Sequence, residues 1–105
     1  MPKNPERGEV WLVDLGLVAK VRPCLVLSVP LEDADRALVT LVPRTTSVYG
    51  SRFEVGVQTR FLKSGVFDAQ NLVTIPRAKL TRQLGKLSAK QLEAVEDAVR
   101  RWLGL

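Results

Sequence analysis

Five short segments rich in β-branched residues constrain the fold of this chain more than any other feature of its sequence. Each is bounded by Gly, Pro, Ser or charged residues, which is typical of strands joined by turns. The segments are EVWLVDL from Glu9, PCLVLSV from Pro23, ALVTLVP from Ala37, RFEVGVQ from Arg52 and NLVTIP from Asn71. This arrangement predicts an antiparallel meander.

Hydrophobic periodicity distinguishes two of these strands by their surroundings. Residues 37 to 43 are apolar almost throughout, which predicts a central strand that is covered on both faces. Residues 52 to 58 alternate, with Phe53, Val55 and Val57 expected to point inward. That alternation predicts a strand with one face in water.

Beyond residue 87 the apolar period changes to that of a helix. The apolar stripe consists of Leu92, Val95, Val99 and Leu103. The segment from Ser88 to Gln91 fits a capping box, so we expect a helix to begin at Ser88. The length of 105 residues suits one domain, over residues 1–105. A few short strands and one amphipathic helix predict a mainly β fold, a small curved barrel with the helix packed against it.

Positive charge is concentrated in the middle of the chain. The formal net charge is +5, and residues 44 to 87 hold eight Lys/Arg against two Asp/Glu, whereas the flanking regions are nearly balanced. If these cations share a face, they attract phosphate over a range that depends on salt. A surface that only keeps the protein in solution explains the same charge equally well.

The residues that most enzymes use for acid–base or metal chemistry are absent. The chain has no histidine and one cysteine, which excludes the usual zinc ligand sets, Cys-His and Ser-His-Asp nucleophiles, and paired catalytic histidines. Its glycines are scattered singly and form no phosphate-binding loop. The acidic segment from Leu31 to Arg36 lacks the spacing of a calcium loop and predicts a solvated turn.

Cys24 and the lack of long apolar runs indicate where the protein resides. Cys24 lies among Pro23, Leu25 and Val26, so we expect a small buried hydrophobe and not a reactive thiol. No segment approaches the ~18 uninterrupted apolar residues of a membrane span, and MPKNPERGE has no apolar signal core. We therefore expect a cytoplasmic protein with no membrane partner.

Four fragments taken together resemble one known family. They are RGEVWLVDLG from Arg7, RPCLVLS from Arg22, VPRTTS from Val42 and TIPRAKLTRQLGKLS from Thr74. Their order and spacing are similar to those of the MazF/PemK toxins of type II toxin–antitoxin modules. The resemblance implies an SH3-like small barrel of antiparallel strands with a C-terminal α-helix, a homodimer that cleaves single-stranded RNA, usually messenger RNA, at short sequences. It also implies inhibition by an acidic, partly disordered antitoxin, and DNA binding together with that antitoxin.

The resemblance assigns catalysis to Arg22 and Thr45. Pro23 biases Arg22 towards extended geometry, so we expect the arginine to point off the start of its strand. Attack by a ribose 2′-hydroxyl places negative charge on phosphoryl oxygens, which guanidinium and hydroxyl donors can meet. Because a guanidinium stays protonated, it is a poor general base. We therefore assign Arg22 electrostatic stabilisation, with proton donation to the leaving oxygen as a second option, and Thr45 a phosphate hydrogen bond; the base is left open.

Both residues also have a purely structural interpretation. Arg22 can form a surface salt bridge with Glu9 or Asp14, and the Thr45 hydroxyl can satisfy its own turn. The residues predicted to bind RNA are Arg44, Thr46, Ser47, Arg52, Gln70, Asn71, Arg77, Lys79 and Arg82. No carboxylate cluster for a two-metal site is visible, so we expect no metal and no other cofactor.

The sequence departs from the family at two places. Between the first two predicted strands it has only Gly16 to Lys20, where many members carry a longer glycine-rich loop that closes over RNA. Before the apolar run of the fifth predicted strand it has Gln70 and Asn71, where many members have Asp-Gln. We expect altered substrate gating and a different cut sequence.

A second hypothesis belongs to another functional class. Gyrase-poisoning toxins share the barrel and bind their target, without catalysis, through a C-terminal helix that ends in an aromatic followed by Gly and an aliphatic residue. This chain ends RWLGL, so Trp102 is either an interface anchor of that kind or a residue packed on the barrel. A third possibility is an inactive family member that serves as a binding module.

Overall fold

The chain folds into one antiparallel sheet and a long helix. The computed structural model describes residues 4–16 and 20–105. The strands are β1 (Glu9–Asp14), β2 (Val21–Val26), β3 (Leu38–Thr45), β4 (Glu54–Gly56), β5 (Val66–Asp68), β6 (Val73–Pro76) and β7 (Leu80–Lys86). Short 3₁₀ turns cover Ala69–Asn71 and Arg77–Lys79, and α1 covers Ala89–Leu103. The predicted mainly β fold with a C-terminal helix is confirmed.

Strand β3 is the centre of the sheet. The strand order is β4-β5-β3-β2-β1-β7, and β6 pairs with the part of β3 that β5 leaves free. All the pairings in the described part of the chain are antiparallel. The prediction of a central strand at residues 37 to 43 is therefore confirmed.

The sequence prediction missed two strands. It found five strands, whereas the described residues form seven, and β5 and β7 were not among those predicted. β5 has three residues, and β7 is mostly polar on its exposed side, so neither gives an apolar run. The strand predicted over residues 52 to 58 is shorter than expected, since β4 covers only Glu54–Gly56. Phe53 and Val57 are nevertheless buried, as the alternation predicted.

The sheet carries buried residues on both faces. On β1, Val10 belongs to one hydrophobic cluster and its neighbour Trp11 to another; on β2, Leu25 and Cys24 divide in the same way. Successive side chains of a strand point to opposite faces, so each cluster covers one face. The cluster of Val10 also includes Val95 of α1, which covers that face of the sheet.

Helix α1 begins with the predicted capping box. The Ser88 hydroxyl accepts a hydrogen bond from the Gln91 backbone N–H at 3.2 Å, and the Gln91 side chain accepts one from the Ser88 N–H at 2.9 Å. Val95 and Val99 are buried and Leu92 is partly buried against the same core, whereas Leu103, the last residue of the stripe, is 50% exposed. The stripe extends past the sheet on which the helix packs. Across residues 4–16 and 20–105, no helix has the length and apolar character required to cross a membrane.

Candidate functional site

Arg22 of β2 and Thr45 of β3 lie at the ends of two neighbouring strands. Cys24 of β2 pairs with Pro43 of β3, so continuing this antiparallel register by two residues brings Arg22 opposite Thr45. A step of two residues keeps a side chain on the same face of a strand. Both side chains therefore lie on one face of the sheet, at the end of the pair of strands.

One open pocket contains both residues, and we call it the strand-end pocket. It is lined by Leu15, Arg22, Pro43, Arg44, Thr45, Ser47, Tyr49, Asp68 and Asn71. The two residues predicted to be catalytic are thus brought together with three of those predicted to bind RNA. Asp68 is the one carboxylate in this lining.

The hydroxyl of Thr45 stabilises its own turn, which is one of the two roles that the sequence allows. Its oxygen accepts a hydrogen bond from the Ser47 backbone N–H at 3.0 Å. A hydroxyl that accepts one bond still has its own proton to donate. The turn contact fixes the oxygen beside the pocket, and the structural and phosphate-binding roles are compatible.

Arg44 lies behind this pair and not on the surface. Its side chain is 5% exposed, and its Nη2 donates to the backbone carbonyls of Val57 at 2.8 Å and Lys63 at 3.0 Å. Its buried Nε and Nη1 have no hydrogen-bond partner, and burial lowers the pKa of the guanidinium. Arg44 is buried because alternation along β3 turns it inward on the same face as Val42, and its predicted contact with RNA stays a prediction.

A second pocket shares Arg22 and Arg44 with the first. We call it the apolar–basic pocket, because Leu12, Phe61, Leu62 and Leu84 line it together with four cations. Those cations are Arg22, Arg44, Lys63 and Arg82. Thr46 also lines this pocket. Of the residues predicted to bind RNA, Arg82 and Thr46 therefore share this pocket with Arg22 and Arg44.

Other residues predicted to bind RNA lie outside both pockets. The guanidinium of Arg52 lies over the Phe53 ring at 4.6 Å, and that of Arg77 over the Trp11 ring at 5.2 Å. Lys79 lines a separate depression with Asp14 and Lys20, and Gln70 is exposed on the 3₁₀ turn. Asn71, the neighbour of Gln70, does line the strand-end pocket. The basic middle segment is therefore divided among several surfaces.

Sequence reasoning missed Tyr49 and Asp68 in the strand-end pocket. Tyr49 follows the VPRTTS fragment by two residues, and its place in the pocket with Arg22 and Thr45 depends on the turn after β3. Asp68 stands at the end of the unpredicted strand β5, where its carboxylate accepts the Gln70 backbone N–H at 3.1 Å. A prediction of β5 beside β3 would have indicated Asp68.

The short loop before β2 is described only at its ends. Leu17, Val18 and Ala19 lie outside the described residues, so the expectation about substrate gating stays a prediction. At the base of the loop the Lys20 backbone N–H donates to the Gly16 carbonyl, and the Leu15 N–H donates to the Lys20 carbonyl. The loop therefore closes tightly at the point where β1 turns into β2.

Cys24 behaves as the buried hydrophobe that the sequence predicted. Its side chain is fully buried, and burial raises the pKa of the thiol to about 12, with the charge of Arg22 acting in the opposite direction. A thiol that stays neutral is a poor nucleophile. Within residues 4–16 and 20–105, no group of three or more Cys, Asp or Glu side chains is arranged to hold a metal ion.

Comparison with known sequences gives one family and named relatives. Residues 6–103 match the profile described as "PemK-like, MazF-like toxin of type II toxin-antitoxin system". The chain is 33% identical over 89 residues to the endoribonuclease MazF3 of Mycobacterium tuberculosis, a match that covers 83% of this chain and 86% of that protein.

Comparison with solved structures gives the same fold. The Mycobacterium tuberculosis toxin MazF-mt6 superposes with a TM-score of 0.79 at 32% identity, over 92% of this chain and 97% of that one. An endoribonuclease from a mycobacterial species, solved in complex with its cognate antitoxin, has a TM-score of 0.81 at 26% identity, over 99% and 97% of the two chains.

Proposed function

This chain belongs to the PemK-like, MazF-like toxin family of type II toxin–antitoxin systems, and we propose that it is a toxin that cleaves single-stranded messenger RNA. The observation that carries the proposal is one open pocket that Arg22 and Thr45 both line. Relatives named as endoribonucleases support the reaction class.

Arg22 stabilises the charge that develops during cleavage. The ribose 2′-oxygen bonds to the adjacent phosphorus and loses its proton to a base, while the bond from phosphorus to the 5′-oxygen breaks and that oxygen gains a proton. The products are a 2′,3′-cyclic phosphate and a free 5′-hydroxyl. The guanidinium of Arg22 meets the charge on the phosphoryl oxygens, and the Thr45 hydroxyl donates to one of them.

Arg44 reinforces this charge from within the protein. It is a buried cation that lines both pockets beside Arg22, and two of its nitrogens lack partners. A charge in a poorly screened interior acts more strongly on a nearby phosphate than one in water does. Arg44 therefore raises the attraction of the pocket for phosphate, and Arg22 and Thr45 make the direct contacts.

The apolar–basic pocket suits the acidic antitoxin that the family implies. A peptide can place its acidic side chains against Arg82 and Lys63. Its apolar side chains can then pack against Phe61 and Leu84. Because Arg22 lines this pocket too, an antitoxin bound there excludes RNA from the catalytic pair. We propose inhibition by competition, with the antitoxin folding as it binds.

We also propose the assembly and location of the toxin. The 105 residues act as one domain, because β1 pairs with β7 from the other end of the chain and α1 shares one hydrophobic cluster with the sheet. The toxin works as a homodimer, as its family does, and the RNA groove lies beside the two-fold axis. It acts in the cytoplasm, where messenger RNA is translated.

A cleavage assay on a long mixed-sequence transcript tests the function. Wild-type protein should cut it with and without EDTA, leave 2′,3′-cyclic phosphate ends, and spare RNA with a 2′-deoxy sugar at the cut position. Arg22→Ala and Thr45→Val should each lower kcat by about 10²- to 10³-fold, the loss typical of one removed donor. Activity that EDTA abolishes and magnesium restores would contradict the metal-free mechanism, and full activity of Arg22→Ala would contradict the assigned site.

A further inference from the structure

The side chain of Tyr49 is the most exposed large hydrophobic group in the described part of the chain. It is 95% exposed, and it is the one tyrosine in the sequence. It also lines the strand-end pocket with Arg22, Thr45 and Asn71. An aromatic ring is therefore held in water at the edge of the proposed phosphate site, where it contributes little to the core.

The turn that carries Tyr49 is held in place by one carboxylate. Glu54 accepts backbone N–H bonds from Tyr49 at 3.0 Å, Gly50 at 2.6 Å and Ser51 at 3.0 Å. These bonds lower the pKa of Glu54, and they come from a turn in which Gly50 adopts a left-handed φ of 85°. The backbone beneath the ring is thus ordered before any ligand arrives, which reduces the ordering cost of binding.

The combination of groups at this edge matches single-stranded nucleic acid. Proteins that bind single strands place cations along the backbone phosphates and aromatic rings against the unpaired bases. Arg22 and Arg44 supply the charge, and Tyr49 supplies a free aromatic face beside them. Asn71 adds a side-chain amide that can pair with a base edge in the same pocket.

We propose that the Tyr49 ring stacks on the nucleobase adjacent to the scissile phosphate, and so helps to select where the toxin cuts. The inference rests on the proposed RNA cleavage. Stacking fixes the position of one base, and this sets which phosphate reaches Arg22 and Thr45. Tyr49 is therefore a specificity-determining residue, which acts through the register of the strand and not on the reacting atoms.

A coupling experiment with abasic nucleotides tests this role. The cut site is first mapped by sequencing the products of wild-type protein on a long mixed-sequence transcript. Oligonucleotides spanning that site, with a 2′-deoxy sugar at the cut position, then carry one abasic nucleotide at each position in turn. Kd is measured for wild-type protein, Tyr49→Ala, Tyr49→Phe and, as the matched control on the same turn, Val48→Ala.

We expect one abasic position next to the cut to weaken wild-type binding by about 5- to 150-fold, the range for one base–aromatic stack. Tyr49→Ala should bind the intact oligonucleotide more weakly by a similar factor and lose sensitivity to that abasic position. Tyr49→Phe and Val48→Ala should keep the wild-type pattern. Cleavage by Tyr49→Ala should also spread to new sequences, mapped on the same transcript.

Two results would overturn the inference. If Tyr49→Ala raises Kd by the same factor for the intact oligonucleotide and for every abasic one, the ring contacts no base. If Tyr49→Ala changes the oligomeric state measured by light scattering, the ring belongs to a subunit interface. The failure of the underlying function is distinguishable, because wild-type protein would then cut no RNA at all, and both proposals would fall together.

Discussion

The guanidinium carbon of Arg44 lies 4.9 Å from the centroid of the Phe67 ring, its cross-strand neighbour on β5. The side chain of Arg44 is 5% exposed, and it also donates hydrogen bonds to two backbone carbonyls. Isolated buried charges reduce stability unless they are well compensated. The chain therefore retains a costly group directly behind Thr45, which indicates a functional role.

Arg44→Met should separate stability from activity. The substitution removes two hydrogen bonds to carbonyls but also a desolvated charge with two unpaired nitrogens, so the free energy of unfolding should change by less than about 2 kcal/mol. Cleavage should fall by about 10- to 100-fold, because the charge behind the phosphate is lost. Urea unfolding and kcat/KM measure the two effects. Arg44→Lys, which restores a positive charge, should recover part of the activity; equal activity of Met and Lys variants would refute the electrostatic role.

Gly65→Ala should disturb the pocket through the backbone. A Cβ at Gly65 would lie 2.4 Å from the Thr45 carbonyl oxygen, so β3 or the segment that leads into β5 must move. We expect a loss of about 1–3 kcal/mol in the free energy of unfolding and a clear fall in kcat. Gly56→Ala is the matched control, because nothing lies within 4 Å of its added Cβ. A Gly65→Ala variant as active and stable as Gly56→Ala would show that Thr45 tolerates displacement.

Arg82→Glu should weaken binding of RNA and antitoxin together. Arg82 lines the apolar–basic pocket beside Arg22, so charge reversal repels both ligands. For a 2′-deoxy oligonucleotide we expect the slope of log K against log salt to fall by about 1. Arg101→Glu, the same charge change on the exposed last turn of α1, is the control and should leave that slope unchanged. Simultaneous binding of antitoxin and oligonucleotide without mutual weakening would contradict the competition model.

Cys24 should make the protein sensitive to alkaline pH. Burial raises the pKa of its thiol from 9.0 to about 12, so between these values the unfolded chain releases a proton that the folded chain retains. Stability therefore falls as pH rises through this window, by at most about 4 kcal/mol. Urea titrations at increasing pH should show a steeper decline for wild-type protein than for Cys24→Ala. Parallel declines would mean that the thiol ionises equally in both states.

Variants at the end of α1 should distinguish a ribonuclease from a gyrase-binding toxin. Trp102 meets the Phe53 ring edge-on at 5.3 Å, whereas Leu103 and Leu105 are exposed. Deletion of residues 103 to 105 should cost about 1 kcal/mol or less and leave RNA cleavage intact. Trp102→Ala should lower stability by about 1–2 kcal/mol, because it removes the aromatic contact. Loss of toxicity on deletion, with cleavage unchanged, would instead favour the gyrase hypothesis.

Local sequence patterns predicted those helices and strands whose stabilising residues lie within a few positions of each other. The capping box at Ser88 and the apolar run of β3 are both visible within a few residues, and both were found. Strand β7 was missed because its order comes from pairing with β1, some seventy positions earlier in the chain. A polar edge strand of this kind has no apolar alternation of its own.

Only those residues of the candidate site that belong to the family motif could be predicted from the sequence. Arg22 and Thr45 came from the resemblance, and both line the strand-end pocket because β2 and β3 are paired neighbours. The inward direction of Arg44 could have been predicted from alternation along β3, but positive charge suggested a surface. The exposure of Tyr49 depends on a turn fixed by Glu54, five positions further along the chain, and no sequence pattern identified that contact.

The pairing of β1 with β7 should determine when a newly synthesised toxin can first cleave RNA. During translation, at about 5–20 residues per second, β1 emerges well before β7 and waits with one edge uncovered. Contacts between distant parts of a chain also form slowly. We therefore expect Arg22 and Thr45 to reach their final positions only after β7 has left the ribosome. A growing chain should then be harmless to the message that encodes it, and an antitoxin made at the same time has an interval in which to capture its target.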